Sequence, residues 1–129
     1  MIAADTNVLV RILVDDPAQP EQVAAARKLA REEQQLYIPQ IVVIELVWVL
    51  QAAYKLDKSS IVRVLDHLLH NGAFELQAED RFMEALGLFK ESSCGFSDCL
   101  IAIESQAAGC TLVTFDRKLS LLAGVNLAE

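Results

Sequence analysis

Short apolar runs alternate with amphipathic stretches along the whole chain. Ile2 to Ala4 is apolar and stops at Asp5-Thr6-Asn7, residue types that end a strand and cap a helix, so a helix is expected over Val8 to Val14. Asp15-Asp16-Pro17 breaks it. Pro20 opens a second helix through about Glu33, with Val23, Ala26, Leu29 and Ala30 at helical spacing, and Leu36 to Ile38 reads as a second strand. The stretch from Pro39 to about Lys55 is too long for an ordinary buried strand and reads as a helix whose middle is apolar on every side.

Asp57 and Ser59 can cap a further helix with Ile61, Val62, Leu65, Leu68 and Leu69 on one face, ending at Asn71-Gly72. Ala73 to Leu76 is the third strand candidate. Phe82, Ala85, Leu86 and Phe89 mark another amphipathic helix, and a helix over Ser97 to Ala108 stops at Gly109. Thr111 to Phe115 is the clearest strand, followed by a helical turn over Arg117 to Ala123 and a last strand at Val125 to Leu127. Strands alternating with helices predict an α/β fold: a three-layer domain with a central, mostly parallel sheet covered on both faces, occupying residues 1–129 as one unit.

Composition narrows the class. Hydrophobic residues make up 53% of 129, and Gly and Pro number only 5 and 3, which excludes a disordered or low-complexity chain. The net charge of −7 leaves no broad basic surface to hold a nucleic acid by phosphate neutralisation alone, so a phosphate-bearing substrate needs a local cation. Cys94, Cys99 and Cys110 lack metal-finger spacing and read as fillers, which agrees with a reducing cytoplasm. The most apolar run, Ile41 to Leu50, is about half a membrane span and contains Glu45, and Met1 onward lacks the features of a signal peptide. A cytoplasmic protein without a membrane segment is expected.

Four acids stand out. In open parallel sheets ligands bind beyond the carboxyl ends of the strands, where Asp5 and Asp116 fall. Either acid could equally be a helix cap. Glu45 has Ile41, Val42, Trp48 and Val49 as its helical neighbours, so it is expected in an apolar wall, at the rim of the core, paired with an Arg, or bound to a cation. Asp98 lies in the first turn of its helix, where the helix dipole alone favours an acid. Clustered, the four would repel one another, and a hard divalent cation such as Mg²⁺ or Mn²⁺ would supply the missing charge through oxygen ligands. His67 and His70, three apart without a third ligand, are expected to face solvent.

Asp5-Thr6-Asn7-Val8-Leu9, Glu45 within Val42-Val43-Ile44-Glu45-Leu46-Val47, Phe96-Ser97-Asp98-Cys99-Leu100-Ile101-Ala102, and Leu112-Val113-Thr114-Phe115-Asp116-Arg117-Lys118-Leu119 together resemble the PIN-domain nucleases. Their order and spacing look like the small VapC-type toxins of toxin–antitoxin pairs. The four windows span nearly the whole chain, with little signal between Ala52 and Glu91. The resemblance implies a PIN-like α/β/α fold and a metal-dependent endoribonuclease. It implies Asp5, Glu45, Asp98 and Asp116 as the acidic quartet around Mg²⁺ or Mn²⁺, with Asp5 and Asp98 the most direct ligands. Thr6, Asn7 and Thr114 look like the polar neighbours that orient metal water or substrate, and Arg11, Arg117 and Lys118 could hold flanking phosphates. It further implies an RNA substrate, a homodimer and a cognate antitoxin that blocks the acidic site.

Cys99 stands where such toxins often carry a small residue, and Cys94-Gly95 replaces a more usual polar lead into that helix; neither change removes an acid. A haloacid dehalogenase-type phosphatase would need a second acid two residues after Asp5, where Asn7 stands. A receiver-type signalling module would need paired acids at the first strand and a Lys after the last. The remaining alternative is a catalytically silent binding subunit that keeps the fold.

Overall fold

Polar residues interrupt the apolar runs every few positions, so the strands are two or three residues long. The computed structural model describes all of Met1–Glu129, and the chain forms two compact units, Met1–Glu79 and Asp80–Glu129.

The first unit runs β1 (Ile2–Ala3), α1 (Thr6–Leu13), α2 (Pro20–Glu32), β2 (Leu36–Ile38), α3 (Gln40–Ala52), α4 (Lys58–His70) and β3 (Phe74–Leu76). Its sheet has the order β1-β2-β3 and both pairings are parallel, with Ile2 beside Leu36 and Leu36 beside Phe74. Parallel neighbours need crossover connections, which the helices supply. The middle strand β2 carries Leu36 and Ile38 into the core, where Leu9, Leu46, Leu50, Leu65 and Leu68 are also fully buried. Burial of such a side chain contributes about 1.5–3 kcal/mol, so these aliphatic residues dominate the stability of the unit.

Local signals set the helix ends. Asp5 caps α1 by accepting the Val8 N–H at 3.0 Å, Pro20 occupies the first turn of α2, and Asp57 caps α4 by accepting the Ser60 N–H at 2.8 Å. Helix α3 ends three residues before the expected Lys55. Lys55 lies in the left-handed region at φ 55°, which turns the chain out of the helix, and the Leu56 N–H reaches back to the Leu50 carbonyl at 3.0 Å.

The second unit contains α5 (Glu79–Glu91), α6 (Phe96–Ala107), β4 (Leu112–Thr114), a 3₁₀ turn (Leu119–Leu121) and β5 (Val125–Leu127). Strands β4 and β5 pair in parallel, Leu112 beside Val125 and Thr114 beside Leu127. Its core is aromatic: the Phe96 ring lies 5.8 Å from Phe82 and 5.9 Å from Phe89, the latter edge-on at 90°. Gly109, at φ 73°, turns the chain out of α6 as the Cys110 N–H bonds the Ser105 carbonyl at 2.9 Å.

The α/β character and the parallel pairing match expectation. The strands differ from it in grouping, since three belong to one sheet and two to another. No helix is long and apolar enough to cross a membrane.

Candidate active site

Asp5 follows β1 and Asp116 follows β4, each just past the carboxyl end of a parallel strand. Both carboxylates are pinned by one oxygen. Asp5 Oδ1 accepts the Val8 N–H, while Asp116 Oδ1 accepts the N–H of Lys118 at 2.8 Å and of Leu119 at 3.3 Å. Oδ2 of each is left for another partner. The two residues are therefore caps, as one reading of the sequence held, and caps of a kind that keep a hard oxygen donor exposed.

Thr114 supports this arrangement directly, since its Oγ1 accepts the Asp116 N–H at 3.0 Å and fixes the turn. Asp98 is half-buried in the first turn of α6, behind Gly95, and its carboxylate makes no hydrogen bond or ion pair within the chain. Thr6 and Asn7 are the first two residues of α1, the former half-buried and the latter exposed. Arg117 and Lys118 are exposed and form no ion pair. His67 and His70 are exposed, Cys94 and Cys99 are buried, and Cys110 is exposed.

The expected apolar wall around Glu45 is not what the structure shows. Glu45 is exposed, and of its four helical neighbours Ile41 and Trp48 are exposed at 65% and 68%, Val49 is half-buried and Val42 is buried. No charged or polar residue anywhere in the chain is buried. The desolvation argument for Glu45 therefore fails. Helix α3 is apolar on every side, so its sequence could not say which side meets the core, and Glu45 falls on the side that does not.

Asp5 and Glu45 belong to the first unit, Asp98 and Asp116 to the second. Neither unit by itself gathers three His, Cys, Asp or Glu side chains in a group that could hold a metal ion. The donor set is nonetheless of the right chemistry: carboxylate oxygens, two of them oriented by backbone N–H groups, suit Mg²⁺ or Mn²⁺ and not a soft metal.

Residues 2–125 match the PIN domain family. The chain belongs to this family. A VapC ribonuclease from Aquifex aeolicus (strain VF5) is 28% identical to it over 120 residues, covering 92% of this chain and 89% of that protein.

In this PIN domain Arg11 does not stand free for a phosphate. Its Nε donates to Gln22 Oε1 at 2.9 Å, and its Nη1 donates to the Tyr54 hydroxyl at 2.8 Å and to Asp16 Oδ2 at 3.4 Å. The Tyr54 hydroxyl in turn donates to the same Asp16 oxygen at 2.9 Å. Burial, then the hydrogen bond to Asp16, raise the Tyr54 pKa above its ordinary value against the opposing pull of Arg11, so the phenol remains a donor at neutral pH. No local pattern signals this network, because Tyr54 lies 43 positions from Arg11 and Gln22 lies 11. Asp5, Asn7, Arg11 and Gln22 line one pocket between α1 and α2.

Proposed function

We propose that residues 1–129 act as a single metal-dependent endoribonuclease domain, the toxin of a VapC-like toxin–antitoxin pair working in the cytoplasm. Family membership and the likeness to a VapC ribonuclease support the nuclease class. The observation that carries the site assignment is the shared geometry of Asp5 and Asp116. Each follows a parallel strand, has one carboxylate oxygen fixed by the next helical turn, and keeps the other oxygen uncommitted.

In this reading Asp5, Glu45, Asp98 and Asp116 hold Mg²⁺ or Mn²⁺, Asp5 and Asp98 most directly. The bound cation supplies the Lewis acidity that polarises the scissile phosphate and lowers the pKa of a water molecule. The chain's own residues set the geometry. The Val8, Lys118 and Leu119 N–H groups orient two of the carboxylates before substrate arrives, and Thr114 fixes the turn that carries Asp116. Thr6 and Asn7 stand at the start of α1 beside Asp5, where they orient water or substrate. Arg117 and Lys118, unpaired and exposed, hold flanking phosphates; Arg11 contributes through the walls of its pocket. A homodimer and a cognate antitoxin complete the proposed assembly.

The test is cleavage of a mixed cellular RNA pool by the purified chain with Mg²⁺ or Mn²⁺, beside an EDTA control and an Asp98→Asn variant prepared identically. Discrete products that vanish in both controls support the reading and reveal the substrate. A folded chain that cleaves nothing under either metal is instead a binding subunit.

A further inference from the structure

Helix α3 leaves one stripe in solvent. Ile41, Glu45, Trp48 and Ala52 follow at helical spacing along one side, and all four are exposed. Trp48 is the only tryptophan of the chain and is 68% exposed. Tryptophan is highly buried on average, so an indole left in water on the same stripe as a second large apolar residue marks a contact surface. Between them, the Glu45 carboxylate makes no hydrogen bond or ion pair within the chain.

The order of these residues narrows the occupant. A second copy laid antiparallel along the stripe would set Glu45 against its own counterpart within an apolar contact, where like charges are costly. A nucleotide meets the two requirements with different parts. Its phosphate goes to the cation that Glu45 holds under the reading above, and its base lies to one side. Helical side chains lean toward the N-terminus, so the Trp48 indole covers the turn that carries Glu45, and residues three apart have Cβ atoms about 5–6 Å from one another. Ala52, one turn further on, is too short to cover the indole.

We propose that Trp48 is the platform on which a base of the RNA strand stacks beside Glu45, and that it favours a purine there over a pyrimidine. The ligand class rests on the ribonuclease reading above; the residue, the mode of contact and the preference do not follow from it. Stacking requires only a π-face, so a chain of net charge −7 gains affinity in this way without neutralising phosphates. An indole face reads no hydrogen-bond pattern, so the area of overlap decides between bases, and a purine brings two fused rings where a pyrimidine brings one.

The test uses the full chain, whose indole fluorescence comes from Trp48 alone. It is titrated in EDTA, where metal-dependent cleavage is off, with short single-stranded RNAs of equal length and charge: all-uridine, uridine with one adenine, and an abasic ribose-phosphate strand. The adenine strand is expected to quench the emission and to bind about threefold more tightly than the all-uridine strand, while the abasic strand leaves the emission unchanged. Trp48→Leu keeps an apolar helix former and loses the π-face, whereas Trp48→Phe keeps a smaller one; thermal melts confirm that both fold. By anisotropy of the labelled adenine strand, Trp48→Leu is expected to bind about tenfold more weakly, by the same factor at low and high salt because stacking releases no counterion, with Trp48→Phe between. With Mg²⁺ or Mn²⁺, Trp48→Leu is expected to raise the KM for cleavage about tenfold and to leave kcat within about twofold. Equal affinities of wild type and Trp48→Leu, or equal quenching by the abasic strand, overturn the proposal, and equal affinities for the adenine and uridine strands overturn the purine preference. Emission that follows protein concentration and not RNA also overturns it, and would make the stripe a contact between copies. Stacking in EDTA by a chain that cleaves nothing with either metal upholds the platform while the nuclease reading fails. Metal-dependent cleavage with an unchanged KM in Trp48→Leu does the reverse.

Discussion

Asp5 in the first unit and Asp116 in the second solve one problem in two ways. Both end a parallel strand and both spend one oxygen on the backbone N–H groups of the next turn. Asp5 feeds an eight-residue helix through one hydrogen bond, whereas Asp116 feeds a three-residue 3₁₀ turn through two, with Thr114 bracing it from behind. A longer helix is held by its packed face and needs its cap less. A short turn has no such face, so side chains must hold it. Each unit joins a buried core to exposed apolar residues: the first buries Leu9, Leu46, Leu50, Leu65 and Leu68 and exposes Ile41 and Trp48, while the second buries Phe82, Leu86 and Phe96 and exposes Val113, Phe115 and Leu121.

Asparagine at either acid separates the two jobs, because it retains an oxygen for the cap and lacks the charge for a cation. Asp5→Asn and Asp116→Asn are each expected to lower RNA cleavage by about 10²–10³-fold, the worth of several kcal/mol of transition-state stabilisation, with unchanged melting temperatures. Full activity in both variants would reduce these acids to caps.

Burial predicts the next largest effect. Leu50→Ala in the first unit is expected to cost about 2–5 kcal/mol in urea unfolding, while Phe115→Ala in the second is expected to stay within about 0.5 kcal/mol. Comparable losses at the two positions would show that exposure is a poor guide to stability in the second unit. A smaller gain is expected at the end of α3: Lys55→Gly relieves a left-handed residue and should raise stability by up to about 1 kcal/mol, read from the urea midpoint.

The smallest effect concerns a cap without any proposed chemistry. The Ser60 backbone N–H holds the Asp57 carboxyl below its ordinary pKa. A depressed folded-state value means that the contribution is complete above the unfolded value, about 3.9, and is lost as pH falls through the folded one. The stability difference between wild type and Asp57→Ala is therefore expected to be constant near neutral pH and to shrink below about pH 4. A difference that grows on acidification would contradict the cap.

Much of the fold is written in local rules. Leu36–Ile38 and Val125–Leu127 form strands as expected from the apolar runs, and Pro20, Asp57 and Gly109 begin or end helices where proline, aspartate and glycine should. Each of these features depends on residues within about one helical turn, so the chain need not be folded for the signal to exist. The positions of Asp5, Asp98 and Asp116 relative to their own strands and helices were legible for the same reason.

Tertiary structure decided what depends on distant partners. Helix α3 is apolar around its whole circumference, so only packing against the rest of the first unit could select Val43, Leu46 and Leu50 for the core and leave Ile41, Glu45 and Trp48 outside. The fate of Arg11 was equally hidden, because its charge and polarity allowed a phosphate contact until Asp16, Gln22 and Tyr54 were brought to it. Sequence determined the elements through short-range backbone hydrogen bonding and steric preference. Folding decided which faces are wet and which polar groups are already satisfied, since both depend on atoms that meet only when the chain closes on itself.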